Sequence, residues 1–239
     1  MNELTCDLTR CFLCRNCIPA WKELIALKKK TLSIKKGKML FRQGEKVEGI
    51  FFLYSGAVKI HAPWADGREI IFRFARGGEI AGHRGLWAGP GGAGGEGSAR
   101  GTALYPISAT ALEDTTACFV PNEFLEASLK ANPSLSYTLM HFYAAELQKA
   151  EKRMRDLTHL EVKGRIANAL LDIEEIFGRD TEGRIAMNLT RQDIAAYAGT
   201  TYETVFKLFN EWTAEAVLVT AGKEITLVQR ELLARWARR

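Results

Sequence analysis

The apolar residues of this chain change their period at Pro133, and this change limits the folds that the sequence can adopt. Between Leu24 and Leu129 they form short runs rich in β-branched and aromatic side chains, and glycines separate the runs. Many short strands with regular turns are typical of an antiparallel barrel or sandwich. After Pro133 the apolar residues recur every three or four positions, which is the period of an α-helix. We therefore expect a β-structured part followed by a helical part.

The helical period continues without a miss from Met140 to Leu157. Apolar residues occupy the a and d positions of successive heptads, at Met140, Tyr143, Leu147, Ala150, Met154 and Leu157. Charged residues fill most of the other positions. Such a seam is typical of a long helix that pairs with a copy of itself, and it predicts a coiled-coil homodimer. The alternative is that the helix packs against its own domain.

Two short helices that follow one another are predicted in the C-terminal third of the chain. Thr190 can cap the first helix with Asp193 three residues later, and Thr200 can cap the second with Glu203 in the capping-box position. Gly199 joins the two helices, which is the pattern of a helix-turn-helix. A hairpin predicted over residues 217–228 completes a winged helix.

Four of the five cysteines lie near the N-terminus, at Cys6, Cys11, Cys14 and Cys17, and the fifth is Cys118. In a reducing compartment such clustering indicates metal or redox chemistry rather than disulfides. Three closely spaced thiolates and a remote fourth hold a cubane iron–sulfur cluster in bacterial ferredoxins. Four thiolates within twelve residues can also close a zinc site. Unmetallated or redox-active thiols are a third interpretation, and Cys118 can simply be a core residue.

The basic residues are concentrated beside these cysteines. The net charge is +5, and residues 1–38 hold nine basic and three acidic side chains. Residues 159–239 hold eleven basic and twelve acidic side chains, so DNA binding would depend on a few placed residues. Nearby cations lower the pKa of a thiol. We therefore expect the surroundings of the cysteines to favour thiolates.

The order of these parts resembles the CRP/FNR family of bacterial transcription regulators. The resemblance covers essentially the full chain, and it is carried by residues 41–45, 54–59, 78–80, 108–111, 164–167, 189–195 and 203–205. It implies an α+β fold with an N-terminal antiparallel β-roll (a cyclic-nucleotide-binding-like jelly roll), a long dimerisation helix and a C-terminal winged helix-turn-helix. The domains implied are a cysteine-rich segment at 1–22, a β-roll sensor domain at 23–130, a dimerisation helix at 131–158 and a winged-helix DNA-binding domain at 159–239.

The resemblance also implies the partners and the absence of enzymatic activity. The expected partners are double-stranded DNA with a pseudo-palindromic operator, a second copy of the chain, and RNA polymerase. The four histidines are scattered and have no partners in sequence for hydrolytic catalysis. The rival from another class is an iron–sulfur electron carrier or thiol oxidoreductase, which leaves the winged helix unexplained.

The cyclic-AMP branch of the family has an arginine immediately before its pocket serine and a Thr-Ser pair on the dimer helix. Here Ile107 precedes Ser108, and the matching helix positions are Ala150 and Glu151. A buried phosphate without its bidentate cation would be poorly compensated. Cyclic AMP is therefore not the expected effector.

The oxygen-sensing branch fits the cysteines better. Its N-terminal cluster ends in Cys-Ile-Pro, as residues 17–19 do, and it has a late Cys-x-x-Pro, as residues 118–121 do. By resemblance, Cys11, Cys14, Cys17 and Cys118 would hold a [4Fe-4S] cluster that oxygen or nitric oxide attacks, and loss of the cluster would weaken the dimer and release DNA. The spacing C-x4-C-x2-C-x2-C departs from that of the branch, so the choice of three ligands among the four N-terminal cysteines stays open. A regulator without a cluster, which responds to thiol oxidation or to a small effector in the β-roll, is the alternative.

The second helix of a helix-turn-helix reads bases with its N-terminal residues. That face is predicted to consist of Thr201, Tyr202, Glu203, Phe206 and Lys207. Glu203 can accept a hydrogen bond from cytosine and Lys207 can donate one to guanine. Phe206 either contacts a thymine methyl or turns inward as core. The family usually has arginine at the positions of Tyr202 and Lys207 and a small residue at that of Phe206, so its familiar half-sites are in doubt. Candidate phosphate contacts are Arg191, Gln192 and Lys223.

The hydrophobicity of the chain points to the cytoplasm. No uncharged apolar stretch approaches the ~20 residues that span a bilayer. The first residues have neither the basic end nor the apolar core of a signal peptide. We therefore expect a cytoplasmic protein.

Overall fold

The computed structural model describes residues 9–85 and 103–238. They form the α+β fold that the sequence predicts, with β-sheets, then a long helix, then a helical region with a small hairpin. The chain divides into two compact units, and the boundaries fall after Ala62, Ile71 and Ala144. The N-terminal unit contains most of both sheets. Residues 63–71 belong to the C-terminal unit, which contains the helix-turn-helix.

The strands of the β-roll lie in two four-stranded sheets. They are β1 (Lys30–Ile34), β2 (Met39–Phe41), β3 (Gly49–Ser55), β4 (Ala57–Pro63), β5 (Glu69–Arg76), β6 (Ile80–Ala81), β7 (Ser108–Ala111) and β8 (Thr115–Pro121). The strand order is β1-β8-β3-β6 in one sheet and β2-β7-β4-β5 in the other. Apolar side chains of both sheets share one core, for example Phe51 and Leu53 of β3 with Val58 and Ile60 of β4. The two sheets are therefore the layers of a sandwich.

The turn that connects β4 to β5 follows from its sequence. Asp66 has φ 63° and Gly67 has φ 72°, so both central residues are left-handed. Glycine, and to a lesser degree aspartate, adopts this conformation at low cost, and it matches the twist of the flanking strands. The Asp-Gly pair predicts this turn correctly.

The described residues contain eight α-helices. They are α1 (Phe12–Asn16), α2 (Lys22–Lys28), α3 (Asn122–Ala131), α4 (Pro133–His159), α5 (Val162–Phe177), α6 (Arg191–Ala198), α7 (Tyr202–Ala214) and α8 (Arg230–Trp236). None of the helices in the described part of the chain is long and apolar enough to cross a membrane.

Helix α4 presents two different faces. Leu135 and Leu139 near its start are buried against the β-roll. Met140, Leu147 and Met154 of the predicted seam are 57–63% exposed, which is unusual for side chains of this size. The helix therefore uses one face for its own unit and leaves a line of large apolar residues in contact with water.

The winged helix is built around buried aromatic residues. Trp212 of α7 is fully buried and its ring stacks on those of Phe209 and Trp236. Gly164 lets α5 approach α8, because a Cβ at this position would lie 2.6 Å from the backbone oxygen of Trp236. Strands β9 (Leu218–Ala221) and β10 (Glu224–Leu227) pair as the antiparallel wing.

The structure has the predicted cap of α6, but the cap of α7 lies one residue later than predicted. Thr190 and Asp193 form the predicted capping box at the start of α6, where the Thr190 hydroxyl oxygen accepts from the Asp193 backbone N–H. The cap of α7 is Thr201 rather than Thr200, and its hydroxyl accepts from the Thr204 N–H. Thr200 is still part of the turn, because its backbone N–H donates to the Ala195 carbonyl.

The Thr190 cap provides a test of this fold. Replacing Thr190 with Ala removes the acceptor for the Asp193 N–H and should lower the free energy of unfolding by about 1 kcal/mol. Urea denaturation measures this change. Thr213→Ala is the control, since Thr213 is an exposed residue of α7, and its stability should change by less than about 0.5 kcal/mol. Equal effects of the two substitutions would contradict the capping role.

Candidate cysteine centre and nucleic-acid interface

The N-terminal cysteines are arranged by the short helix α1. Cys11 is the N-cap residue, and its Sγ accepts a hydrogen bond from the Cys14 backbone N–H at 3.5 Å. Cys17 ends the helix and donates its N–H to the Leu13 carbonyl. One helical turn therefore carries Cys11, Cys14 and Cys17, and all three side chains are buried.

Cys118 comes to the same place from a distant part of the chain. It lies on β8 in the middle of its sheet, paired with Thr31 of β1 and Phe52 of β3. It shares one buried cluster with the three N-terminal cysteines, and the thiols of Cys11 and Cys118 interact through a hydrogen bond. Lys29 lies beside the group, with its Nζ 3.8 Å from the Cys118 Sγ.

The structure brings together the four thiols that were predicted to act together. Cys6 lies outside the described residues. Within the part that the structure describes, no three Cys, His, Asp or Glu side chains are already arranged as a metal site. The four thiols thus share one buried core, in which Cys11 contacts Cys14 and Cys118.

Burial and contacts with other cysteines change the pKa of two of these thiols. Burial raises the pKa of Cys17 to about 11, and the opposing effect of Lys22 is smaller. The pKa of Cys11 is lowered by the hydrogen bond with Cys118, but the hydrogen bond with Cys14 and burial raise it to about 12. At Cys17, loss of solvent therefore outweighs the nearby positive charge of Lys22, and the expected thiolate is not favoured there.

The cysteine turn is connected to the start of α4 by contacts that the sequence did not indicate. The Ile18 N–H donates to Oδ1 of the buried Asn132 at 2.9 Å, immediately before Pro133 begins α4. The ring of Phe12 meets that of Phe142 on α4 edge to face, with 5.8 Å between the centroids. A displacement of α1 would therefore disturb the first turns of α4.

The β-roll residues that would meet a cyclic nucleotide are used in other ways. The Ser108 hydroxyl is buried and accepts the Gln43 backbone N–H at 2.9 Å. Ile107 is a buried core residue, and Ala150 and Glu151 are exposed on α4. These residues supply no cation for a cyclic phosphate.

The recognition helix α7 separates its predicted reading residues from its core residues. Val205, Phe209 and Trp212 are buried, whereas the predicted reading residues lie on the other side. Exposed there are Tyr202, Glu203, Phe206 and Lys207. Thr201 is half-buried because its hydroxyl caps the helix. Of the two positions predicted for Phe206, the structure has the exposed one.

The candidate phosphate contacts are not equivalent. Gln192 and Lys223 are exposed, at the start of α6 and in the turn of the wing. Arg191 is half-buried, and its guanidinium lies 4.2 Å from the centre of the Phe209 ring. It also donates to the Gly222 carbonyl at 3.5 Å. Arg191 therefore connects the recognition helix to the wing, which is a positioning contact inside the domain.

The Arg165 side chain links the end of α4 to the helix-turn-helix, which the sequence did not predict. It donates to the carbonyls of Leu157 and Leu160 at the end of α4 and to the Gly199 carbonyl in the helix-turn-helix. A Cβ at Gly199 would lie 2.8 Å from Leu157, so the predicted seam residue Leu157 packs on its own chain. Arg165 lies within the segment 164–167 that carries the family resemblance, but nothing in the sequence indicates these three acceptors.

Two family profiles match successive parts of this structure. The cyclic nucleotide-binding domain profile matches residues 31–132, which contain the β-roll, and the Crp-like helix-turn-helix domain profile matches residues 164–236. The chain belongs to the CRP/FNR family of transcription regulators. It is therefore a DNA-binding transcription regulator, and the members of this family are not enzymes.

Several transcription regulators, of which one is named as cAMP-activated, are similar to this chain to nearly the same degree. The transcriptional activator protein FnrA of Stutzerimonas stutzeri is 28% identical over 197 residues, which cover 82% of this chain and 75% of FnrA. The CRP-like cAMP-activated global transcriptional regulator of Mycobacterium tuberculosis is 27% identical over 206 residues, covering 85% and 86%. The solved structure of FixK2 from Bradyrhizobium japonicum superposes with a TM-score of 0.71 at 25% identity and covers 87% and 96%. Overall similarity therefore does not identify the effector of this CRP/FNR regulator, which depends on the residues of its own sensor domain.

The absence of a cation at Ile107, immediately before Ser108, predicts that cyclic AMP does not stabilise the protein. A ligand at a hundred times its Kd stabilises a native protein by about 2.7 kcal/mol, which raises the Tm. Millimolar cyclic AMP should leave the Tm of this protein unchanged. The M. tuberculosis relative, measured in parallel, is the positive control, and a clear rise in the Tm of this chain would contradict the prediction.

Proposed function

We propose that this regulator is a homodimer whose DNA binding is controlled by oxygen, nitric oxide or redox state through a [4Fe-4S] cluster held by Cys11, Cys14, Cys17 and Cys118. The main support is that four thiols from two distant segments share one buried core. Buried free cysteines are common, but four together are better explained as a ligand set.

The donor set fits an iron–sulfur cluster. Four thiolates are its usual ligands, and three of them come from one turn of chain here. The same donors also suit zinc, so the metal content has to be measured. An iron–sulfur cluster supplies a centre that oxygen or nitric oxide attacks. Regulation by thiol oxidation would use the same four cysteines and remains the alternative to a cluster.

The residues around the cysteine turn would transmit its state to α4. Phe12 follows Cys11 directly and packs on Phe142, while Ile18 follows Cys17 and is held by Asn132. Any rearrangement that changes the spacing of the cysteines moves these two contacts. The beginning of α4 is therefore the first element to respond.

Helix α4 would form the dimer interface through its seam. Met140, Leu147, Ala150 and Met154 are exposed, and together they form an apolar line that a second α4 can cover. Tyr143 is partly used within its own chain, since its hydroxyl donates to the His83 carbonyl at 2.8 Å. A two-fold dimer presents two recognition helices to a pseudo-palindromic operator, with half-sites about one helical turn apart. RNA polymerase would be the further partner in the cytoplasm, as the family resemblance implies.

Replacing the proposed ligands should abolish both the cluster and the response. Cys11→Ser and Cys118→Ser, purified without oxygen, should lose bound iron, sulfide and visible absorption, because a hydroxyl is a poor substitute for a thiolate on iron. Cys6→Ser is the control and should retain all three. Exposure to air should weaken DNA binding of the wild type and leave that of the two ligand variants unchanged.

Other outcomes of this experiment would identify the rival functions. If the protein is metal-free and its Ser variants keep a redox response, the signal is thiol oxidation rather than a cluster. If the metal-free protein has no redox response, a small effector in the β-roll is favoured. Zinc in place of iron would also contradict the proposal. A cluster-bearing protein that transfers electrons without binding DNA would be an electron carrier.

The seam predicts the effect of a charge on dimerisation. Leu147→Lys places a positive charge at an exposed apolar position near the two-fold axis, where it would face its own copy, and should convert the dimer to monomers in sedimentation experiments. Gln148→Lys adds the same charge one residue away, outside the seam, and should leave the dimer intact. Dimers of equal stability in both variants would exclude α4 as the interface.

A further inference from the structure

Two aromatic side chains form a pair on the exposed side of α7. Tyr202 and Phe206 are four residues apart, their ring centroids are 6.0 Å apart, and their planes are 20° from parallel. Tyr202 is 42% exposed and Phe206 is 51% exposed. The core side of the same helix is already filled by Val205, Phe209 and Trp212. The pair is therefore not needed for the packing of the domain.

Such a pair is an unusual feature of a solvent-exposed surface. Aromatic rings bury more apolar area than most side chains when they find a partner, and adjacent rings in water usually mark a contact surface. Glu203 and Lys207 border the pair on the same side of the helix, and both are exposed. The surface thus combines an apolar stripe with one acceptor and one donor.

This combination matches the major groove of DNA. Base edges there present donors and acceptors, and the C5 methyl of thymine is their one large apolar group. The helix is the second of a helix-turn-helix in a DNA-binding family, so the major groove is the partner that this surface would meet. Guanine and cytosine offer no apolar partner of this kind.

We propose that Tyr202 and Phe206 act together as a methyl-reading pair that selects thymine at two positions of each half-site, about two base steps apart. Bases along one strand are about 3.4 Å apart, so rings separated by 6.0 Å span about two base steps. The stacked arrangement limits the freedom of each ring and holds both for contact at once. This inference rests on the proposed reading face, and it adds a preference for thymine that the charged residues cannot supply.

The test uses the full-length protein and removes single methyl groups from DNA. Duplexes with a random central segment are selected for binding, and the enriched sequence is then made with deoxyuridine in place of each thymine in turn. Deoxyuridine pairs as thymine does and lacks only the C5 methyl. A buried methyl is worth about fourfold in affinity, so two positions per half-site should each lose about fourfold.

Matched variants assign this effect to the pair. Phe206→Ala should bind one of the two sensitive positions equally well with thymine and with deoxyuridine. Tyr202→Ala should do the same at the other position. Lys207→Ala is the control, because it should weaken binding to both duplexes by the same factor and preserve their ratio.

The outcomes separate this inference from the proposed function. Enrichment of a specific sequence with equal binding of thymine and deoxyuridine duplexes would overturn the methyl-reading pair and leave the DNA reading face intact. In that case the aromatic surface would be assigned to a protein partner. Selection without any enriched sequence would overturn both the reading face and the methyl-reading pair.

Discussion

The packing of the cysteine turn against the β-roll and α4 is the interaction on which the proposed signalling depends. Phe12 and Leu13 enter the same apolar core as Cys118 of the sheet and Leu135 of α4. A chemical change at the proposed ligands would therefore disturb this core, because close-packed interiors transmit strain. The Asn132 side chain strengthens this link, since it holds the Ile18 N–H at the point where α4 begins.

A second set of contacts has the same role at the other end of α4. Arg165 joins the last carbonyls of α4 to the turn of the helix-turn-helix through Gly199, and Arg153 of α4 donates to the Tyr197 carbonyl. Side-chain hydrogen bonds thus link the end of α4 to the helix-turn-helix.

Much of this architecture follows from local patterns. The glycine-separated apolar runs, the heptad seam and the Thr190 capping box predict elements that the structure contains, because each depends on residues close in sequence. The cap of α7 was misplaced by one residue, since Thr200 and Thr201 are both suitable caps and only the path of the turn selects between them. The buried face of α7 follows from the period of its apolar residues. The sequence did not decide whether Phe206 lies on the exposed side or in the core.

By itself, the sequence determined the family, the order of the parts and the residue types of the cysteine centre, because these are encoded in short motifs and in their spacing. Only the tertiary structure decided which groups meet. It brings Cys118 to Cys11 across more than a hundred residues, and it buries Cys17 so that the pKa of this thiol rises despite the neighbouring Lys22. It also places Phe206 beside Tyr202 in the solvent. Burial and long-range contact depend on how the whole chain packs, and no local pattern specifies them.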